Sequence, residues 1–266
     1  MGAGEIARTR FRSRRRRAAM RLGEALTRAM GRIQAAQSLV GDPPLVAPER
    51  FAFTAALESD WQAVRDEAAQ VLRFRGAIPL FEEISTDQRS ISRTNTWRTF
   101  FLYGFGEPIA GACRQAPRTA ALLSRIPNLQ TAFFSILEPG SHIPPHRGLT
   151  KGLLTCHLGL IAPADRRNCR IRIEDQYRHW EEGRVFIFDD TRTHEVWNAT
   201  QETRVVLLLH VDRPMRWLGT SLHRLFIALV KASAYVKEPS SRIRQFEHRF
   251  EAIRQSQEML ENADRI

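Results

Sequence analysis

Between Thr131 and Val211 the chain is cut into five short runs rich in β-branched, aromatic and aliphatic residues: Thr131–Leu137, Leu153–Leu160, Asn168–Glu174, Arg184–Asp189 and Thr203–Val211. Clusters of Gly, Pro, Asn and Asp separate them. That rhythm leaves no room for crossover helices, so it predicts an all-β sandwich or barrel rather than βαβ units. Thr96–Gly104, dense in aromatics and ended by glycine, reads as a further strand. Helical spacing flanks this block. It covers Arg17 to about Leu39, Phe51–Phe74 (with Ser59-Asp60 as a start signal), Arg118–Leu123 behind Pro117, Leu222–Val230, and a charged stretch from about Ser240 to Met259. Gly41-Asp-Pro-Pro44 breaks the first of these. The expected organisation is therefore an N-terminal basic extension over 1–44, helical or disordered, a mainly β domain with N-terminal helices over 45–217, and a helical tail over 218–266.

Alternation then sorts side chains onto faces. In Leu153–Leu160, Thr155 and His157 share one face, opposite Leu154, Cys156 and Leu158. In Thr203–Val211, Arg204, Val206, Leu208 and His210 share a face opposite Val205, Leu207 and Leu209. An arginine opening so apolar a strand is costly unless it finds a carboxylate, and its forked geometry suits a ligand carboxylate. Two histidines lie in turn-rich stretches that follow apolar runs: His146 in Glu138-Pro-Gly-Ser-His-Ile-Pro-Pro-His146 and His194 in Asp189-Asp-Thr-Arg-Thr-His194. Both read as loop residues, and they meet only if a sheet closes on itself and draws two strand ends together. Asn198-Ala-Thr-Gln201 reads as a tight turn that would set Arg204 on the strand beside the one leading to His194. Two imidazoles suit Fe, Zn, Cu or Ni, and non-haem Fe(II) oxygenases use two His, usually with one carboxylate. With eight histidines in the chain, accidental pairs are easy, and spacing alone favours a pair of ordinary loop histidines and a salt-bridged arginine.

Charge narrows the partners. Residues 1–40 carry ten Arg and two Glu, a net of +8, so only +3 of the total of +11 falls on the rest. The run Arg14–Arg17 lacks the apolar segment of a secretory signal. A solvated tail, an organelle transit peptide or peripheral attraction to an anionic membrane surface accounts for it. Nucleic acid fits less well, because no aromatics are interleaved with these arginines. Cys113, Cys156 and Cys169 form an odd set without CxxC spacing, which suits a reducing, cytoplasmic setting. Near the C-terminus the longest apolar run, Leu225–Val230, is far shorter than the roughly 20 residues of a spanning helix.

The words around these residues resemble a known family. Phe134-Ser-Ile-Leu-Glu-Pro-Gly-Ser-His-Ile-Pro-Pro-His-Arg-Gly148, His157-Leu-Gly-Leu160, Trp180-Glu-Glu-Gly183, Phe188-Asp-Asp190, His194-Glu-Val-Trp-Asn198, Arg204-Val-Val-Leu207 and Val211-Asp-Arg-Pro214 resemble the aspartyl/asparaginyl β-hydroxylases. Upstream, Trp61–Glu67 and Ala116–Leu123 look like its bacterial branch that 2-hydroxylates lipid A acyl chains. The resemblance implies a double-stranded β-helix (a jelly roll, cupin-like), an Fe(II)/2-oxoglutarate-dependent dioxygenase, and hydroxylation of an unactivated C–H bond using O2. It carries the metal onto His146 and His194 and 2-oxoglutarate contacts onto Ser135, His157 and Arg204. The substrate would be an acyl lipid, a protein Asp/Asn side chain or an amino acid. Two positions depart from the pattern. Gly148 stands where the lipid A branch has Asp, although the protein-hydroxylase branch also has glycine, and Thr155 stands where the family usually has an arginine. The alternative is a non-catalytic β-barrel binding or scaffold protein with a membrane-associating tail.

Other candidates read as structural. His142 reads as solvent-facing and His210 as a core histidine bonded to backbone. His179, His223 and His248 read as surface, Trp97 and Trp197 as barrel packing, and Cys156 as a buried small hydrophobe facing away from the site. Asp189 and Asp190 fall on opposite faces and read as loop-ordering or supporting groups.

Overall fold

The computed structural model describes residues 26–85 and 96–263. In chain order come a helix over residues 26–37 (α1), β1 (Leu45–Val46), α2 (Ala52–Ser59), α3 (Trp61–Leu72), α4 (Phe81–Ile84), β2 (Trp97–Gly104), β3 (Glu107–Pro108), α5 (Ala110–Gln115), α6 (Pro117–Leu123) and β4 (Leu129–Leu137). Then follow β5 (Ser141–His146), β6 (Leu153–Ile161), β7 (Cys169–Ile173), β8 (Gln176–Arg178), β9 (Val185–Phe188), β10 (His194–Asn198), β11 (Arg204–Asp212), α7 (Trp217–Ala232) and α8 (Ala234–Ala263). The strands pair antiparallel into two sheets, one ordered β1-β9-β6-β11-β4-β2-β3 and the other β5-β10-β7-β8. The chain passes repeatedly between them, which makes a double-stranded β-helix of the jelly-roll, cupin-like kind.

Alternation on β11 explains the layering. Val205, Leu207 and Leu209 join a core between the large sheet and the helices, with Leu57 of α2, Val64 of α3 and Phe250 of α8. Val206 and Leu208 join a second core between the sheets, with Phe133, Ile171, Phe188 and Val196. Each such buried side chain contributes about 2 kcal/mol of transfer free energy. Arg204 shares the inter-sheet parity, so strand geometry alone drives a guanidinium into the sandwich. Cys156 belongs to the helix-side core, away from the space between the sheets, as its parity requires.

Several local expectations change. Phe51–Phe74 is two helices, because Asp60 leaves helical geometry (φ −100°, ψ 11°) and lets α2 and α3 bury different faces. His146 and His194 are strand ends rather than loop residues. Pro144 and Pro145 hide β5 in the sequence, yet β5 is an edge strand, where missing N–H groups cost no ladder bond. The hairpin before Arg204 is absent: residues 199–203 carry the chain from one sheet to the other, and β11 lies between β6 and β4. Asn198 holds that corner by donating from Nδ2 to the carbonyls of Leu137, Glu138 and Glu202 (3.0, 3.2 and 2.8 Å).

The charged C-terminal helix starts earlier than Ser240, at Ala234, and contains Pro239. The arginine run and the first part of the helix expected from Arg17 lie outside the described residues. The described remainder is tied down: Arg216 N donates to Gln37 O (2.8 Å), Leu39 N to Pro214 O (2.8 Å), and Thr150 Oγ1 to Gln34 Oε1 (3.2 Å). Among the described residues no helix is long and apolar enough to cross a membrane.

Candidate active site

β5 and β10 are neighbours in the small sheet, and His194 is the register partner of His146. Their rings therefore lie with centroids 4.0 Å apart at 54°. His146 Nδ1 donates to Pro144 O (2.9 Å), and His194 Nδ1 donates to Arg192 O (3.0 Å). A carbonyl only accepts, so the ring proton sits on Nδ1 and each Nε2 presents a bare lone pair. Burial lowers the pKa of His146. Burial, followed by the neighbouring His146, brings His194 down to about 4. Two neutral rings with oriented Nε2 atoms are the form in which histidine binds a metal. Among the described residues no three His, Cys, Asp or Glu side chains gather as a metal-holding group.

Across the same cavity lie two donors that have no acceptor among the described residues. Arg204 is 2% exposed and rests on Trp180, its Cζ 4.5 Å from the ring centroid. Only Nη1 reaches acceptors, at 3.4 Å from Ser135 O and Oγ, while Nε has no partner. Burial pulls its pKa down to about 10. No carboxylate among the described residues pairs with it. Trp180 Nε1 donates to His157 Nδ1 (3.1 Å), which puts the proton of neutral His157 on Nε2, and that atom is buried without a partner. Burial, then the charge of Arg204, holds His157 well below its ordinary pKa. Trp97 Nε1 donates to Ser135 Oγ (3.0 Å), aligning that hydroxyl. A buried cation with an orphaned N–H beside an orphaned imidazole N–H fits an anionic ligand with several acceptor oxygens.

Asp190 is the group that sequence reasoning undervalued. A Cβ built on Gly148 would fall 2.2 Å from Asp190 Cγ and Oδ1. The Asp190 carboxylate, arriving from the end of β9, thus fills the space that a side chain at 148 would occupy. Gly148 N donates to Asp190 O (2.7 Å), locking the two segments together. Burial, then the neighbouring Asp189, raises the Asp190 pKa to about 7, and Oδ1 has no hydrogen-bond partner. Asp189 does the loop-ordering work: its Oδ2 accepts from Lys151 Nζ at 2.7 Å and forms an ion pair with Arg213, 2.7 Å from Nη2. The Gly148 departure and the Asp-Asp pair, read together, were the signal for Asp190.

Three further readings are corrected. Among the described residues the His210 ring has no backbone partner; it lines the cavity 3.9 Å from Asp190 Oδ2, because it shares the inward parity of Arg204. His223 is buried, its Nε2 3.0 Å from Asp212 Oδ1, in room left by Gly152. Trp197 stacks on His142 (5.6 Å, 10°) outside the inter-sheet core, while Trp97 lies within it. His142 is exposed and pairs with Glu195 at 2.8 Å. His179 and His248 are exposed.

The cavity measures about 380 Å³. His146, His194, Ser135, Thr155, His157, Asp190, Arg204 and His210 line its polar part. Phe81, Phe101, Phe133, Ile143 and Leu149, with Phe226, Ile227 and Val230 of α7 and Ile243 of α8, give the rest an apolar wall.

Comparison with known proteins decides the lineage. Residues 58–214 match the family model described as aspartyl/asparaginyl beta-hydroxylase. The chain belongs to the aspartyl/asparaginyl β-hydroxylase family. It is 39% identical over 213 residues to an ornithine lipid ester-linked acyl 2-hydroxylase of Rhizobium tropici, covering 80% of this chain and 76% of that protein. It is 34% identical over 164 residues to the aspartyl/asparaginyl beta-hydroxylase of Mus musculus, covering 60% of this chain and 21% of the mouse protein. Among solved structures, a cupin domain of an XRE family transcriptional regulator from Enterobacter cloacae is 15% identical with a TM-score of 0.30, covering 45% of this chain and 99% of that one. This is a hydroxylase family with members named for lipid acyl chains and for Asp/Asn.

Proposed function

We propose that this protein is an Fe(II)- and 2-oxoglutarate-dependent dioxygenase that hydroxylates a lipid acyl chain. The observation that carries it is the pairing, in one cavity, of two bare imidazole Nε2 atoms with a buried guanidinium that has no carboxylate. His146 and His194 would hold the iron. Arg204 would take the distal carboxylate of 2-oxoglutarate, with Ser135 Oγ and His157 Nε2–H as neighbouring contacts. When bound, the iron and co-substrate supply the oxidising chemistry: O2 and 2-oxoglutarate yield succinate, CO2 and one hydroxyl group on the substrate. The chain's own residues orient and shield. Pro144 O and Arg192 O fix the two rings. Trp180 fixes the tautomer of His157. Asp190, with a pKa near 7, holds or releases a proton at Oδ1 beside the histidines. Thr155 contributes a hydroxyl where an arginine is usual, leaving Arg204 as the buried cation of this site.

The substrate reading rests on the cavity wall. Phe101, Phe133, Phe226, Ile227 and Val230 present hydrocarbon, which an acyl chain matches and an Asp or Asn side chain does not. The relative matched over most of both chains is named for an acyl 2-hydroxylation. The test is incubation of purified protein with Fe(II), 2-oxoglutarate, O2 and acyl lipids, followed by mass spectrometry. Gain of one oxygen on an acyl chain with matching succinate is expected. Hydroxylation of an Asp- or Asn-containing peptide but of no lipid would overturn the acyl reading. A protein that retains no iron and forms no succinate would be the non-catalytic scaffold.

A further inference from the structure

Surface helices normally turn polar residues outward. α7 does not. Before its last turn, where Lys231 and Ala232 are exposed, its exposed positions recur at helical spacing as Trp217, Leu218, Ser221, Arg224, Leu225, Ala228 and Leu229, and three of them stand well out: Trp217 is 77% exposed, Leu225 59% and Leu229 63%. The opposite side of the same helix, Phe226 and Val230, lines the active-site cavity. α7 thus presents large apolar side chains on its outward side as well as toward the cavity. Leu149, also on the cavity wall, is 51% exposed. Apolar residues of α7 therefore stand both in solvent and on the cavity wall, with Lys231 at the end of the helix also lining the cavity.

Charge says what covers it. Residues 213–237 contain five Lys or Arg and no Asp or Glu, and α1, hydrogen-bonded to this region through Gln37, contains two Arg and no acid. Arg224 and Arg216 are exposed and pair with no carboxylate among the described residues. An apolar stripe carrying an exposed tryptophan, on a segment with Lys and Arg but no Asp or Glu, matches a bilayer interface. Trp sits at headgroup level, Leu enters the acyl boundary, and arginines meet anionic headgroups. A second protein would be expected to offer acidic side chains to these cations and to meet acids in return, and residues 213–237 and α1 contain none.

We propose that the outward face of α7 docks the protein on an anionic bilayer with the cavity mouth at the membrane, so that an acyl chain passes into the cavity without crossing water. This rests on the acyl-chain reading above. The test uses the full chain loaded with Fe(II) and vesicles of phosphatidylcholine with or without phosphatidylglycerol, containing no substrate, followed by co-sedimentation. Wild type is expected to bind the phosphatidylglycerol vesicles. Combined Trp217→Ser, Leu225→Ser and Leu229→Ser should lower the bound fraction by about tenfold or more at unchanged thermal stability. Arg224→Glu should weaken binding to the anionic vesicles only. The triple variant should also lose turnover of bilayer-embedded substrate while keeping turnover of the same lipid dispersed in detergent. No vesicle binding by wild type, equal binding by the triple variant, or a wild-type dimer that this variant dissociates would each overturn the docking face. Absence of turnover on dispersed lipid would instead strike the acyl-hydroxylase reading and leave the vesicle result to judge docking by itself.

Discussion

Replacing Arg204 by methionine separates fold from function. Burial takes the guanidinium pKa from its ordinary value down to about 10. At about 1.4 kcal/mol per pH unit, the ligand-free fold disfavours the charged form by roughly 3 kcal/mol. No carboxylate among the described residues offsets that cost, and the guanidinium rests on Trp180. Methionine keeps a flexible apolar stem in that space and removes the charge. We predict that ligand-free Arg204→Met melts at the wild-type temperature or several degrees above it. Losing a buried charge-assisted contact to a carboxylate costs about 2–5 kcal/mol, so the Kd for 2-oxoglutarate should rise by roughly 30-fold to a few thousand-fold. Calorimetric titration with 2-oxoglutarate, with Mn(II) standing in for iron, measures the second effect, and a thermal scan without ligand measures the first. Wild-type affinity in the variant would refute the anchor. A fall in melting temperature of many degrees would show that Arg204 is structural.

Other predictions follow from single groups. Asp190→Asn removes a carboxyl whose folded pKa, about 7, lies above its unfolded value of about 3.9, so the native carboxyl loses stability as pH rises through that window. The variant should therefore be more stable than wild type above pH ~7 and should hydroxylate more slowly; lower stability there, measured by urea denaturation, would reject the assignment. Gly148→Ala places a methyl against the Asp190 carboxylate and should cost about 1–3 kcal/mol; a neutral effect in the same assay would mean that Asp190 moves freely. Asn198→Ala removes three donated bonds at the sheet-to-sheet corner and should cost about 2–4 kcal/mol. His194 and His210, held near pKa 4 by burial, titrate near 6.5 when unfolded. Their contribution is complete above pH ~6.5 and is lost as pH falls toward 4, by a few kcal/mol in metal-free protein; a flat stability profile across that range would contradict their burial as neutral rings.

The strands were legible because each face of the large sheet is apolar, so β4, β6 and β11 announce themselves by composition, and parity then gives the inward direction of Arg204 and His157. What stayed hidden depends on contacts between segments distant in sequence. β5 carries two prolines and looks like a loop until its edge position is known. β10 is five residues long and joins a different sheet from the strand before it, so the stretch after Asn198 reads as a hairpin although it is a corner. The burial of His223 depends on the space above Gly152, and the place of Asp190 depends on Gly148, forty-two positions away (190 − 148). Neither relation has a local periodic signature.

The central claim, that one cavity gathers iron on two imidazoles and a keto-diacid on Arg204, is tested most directly by anaerobic titration of the Fe(II)-loaded protein with 2-oxoglutarate while following the visible charge-transfer absorption of the chelate. The account predicts a band that saturates near one equivalent in wild type, disappears in His194→Ala, and needs far more 2-oxoglutarate in Arg204→Met. A band of equal intensity and midpoint in all three proteins, or no band in wild type that retains its iron, would contradict it.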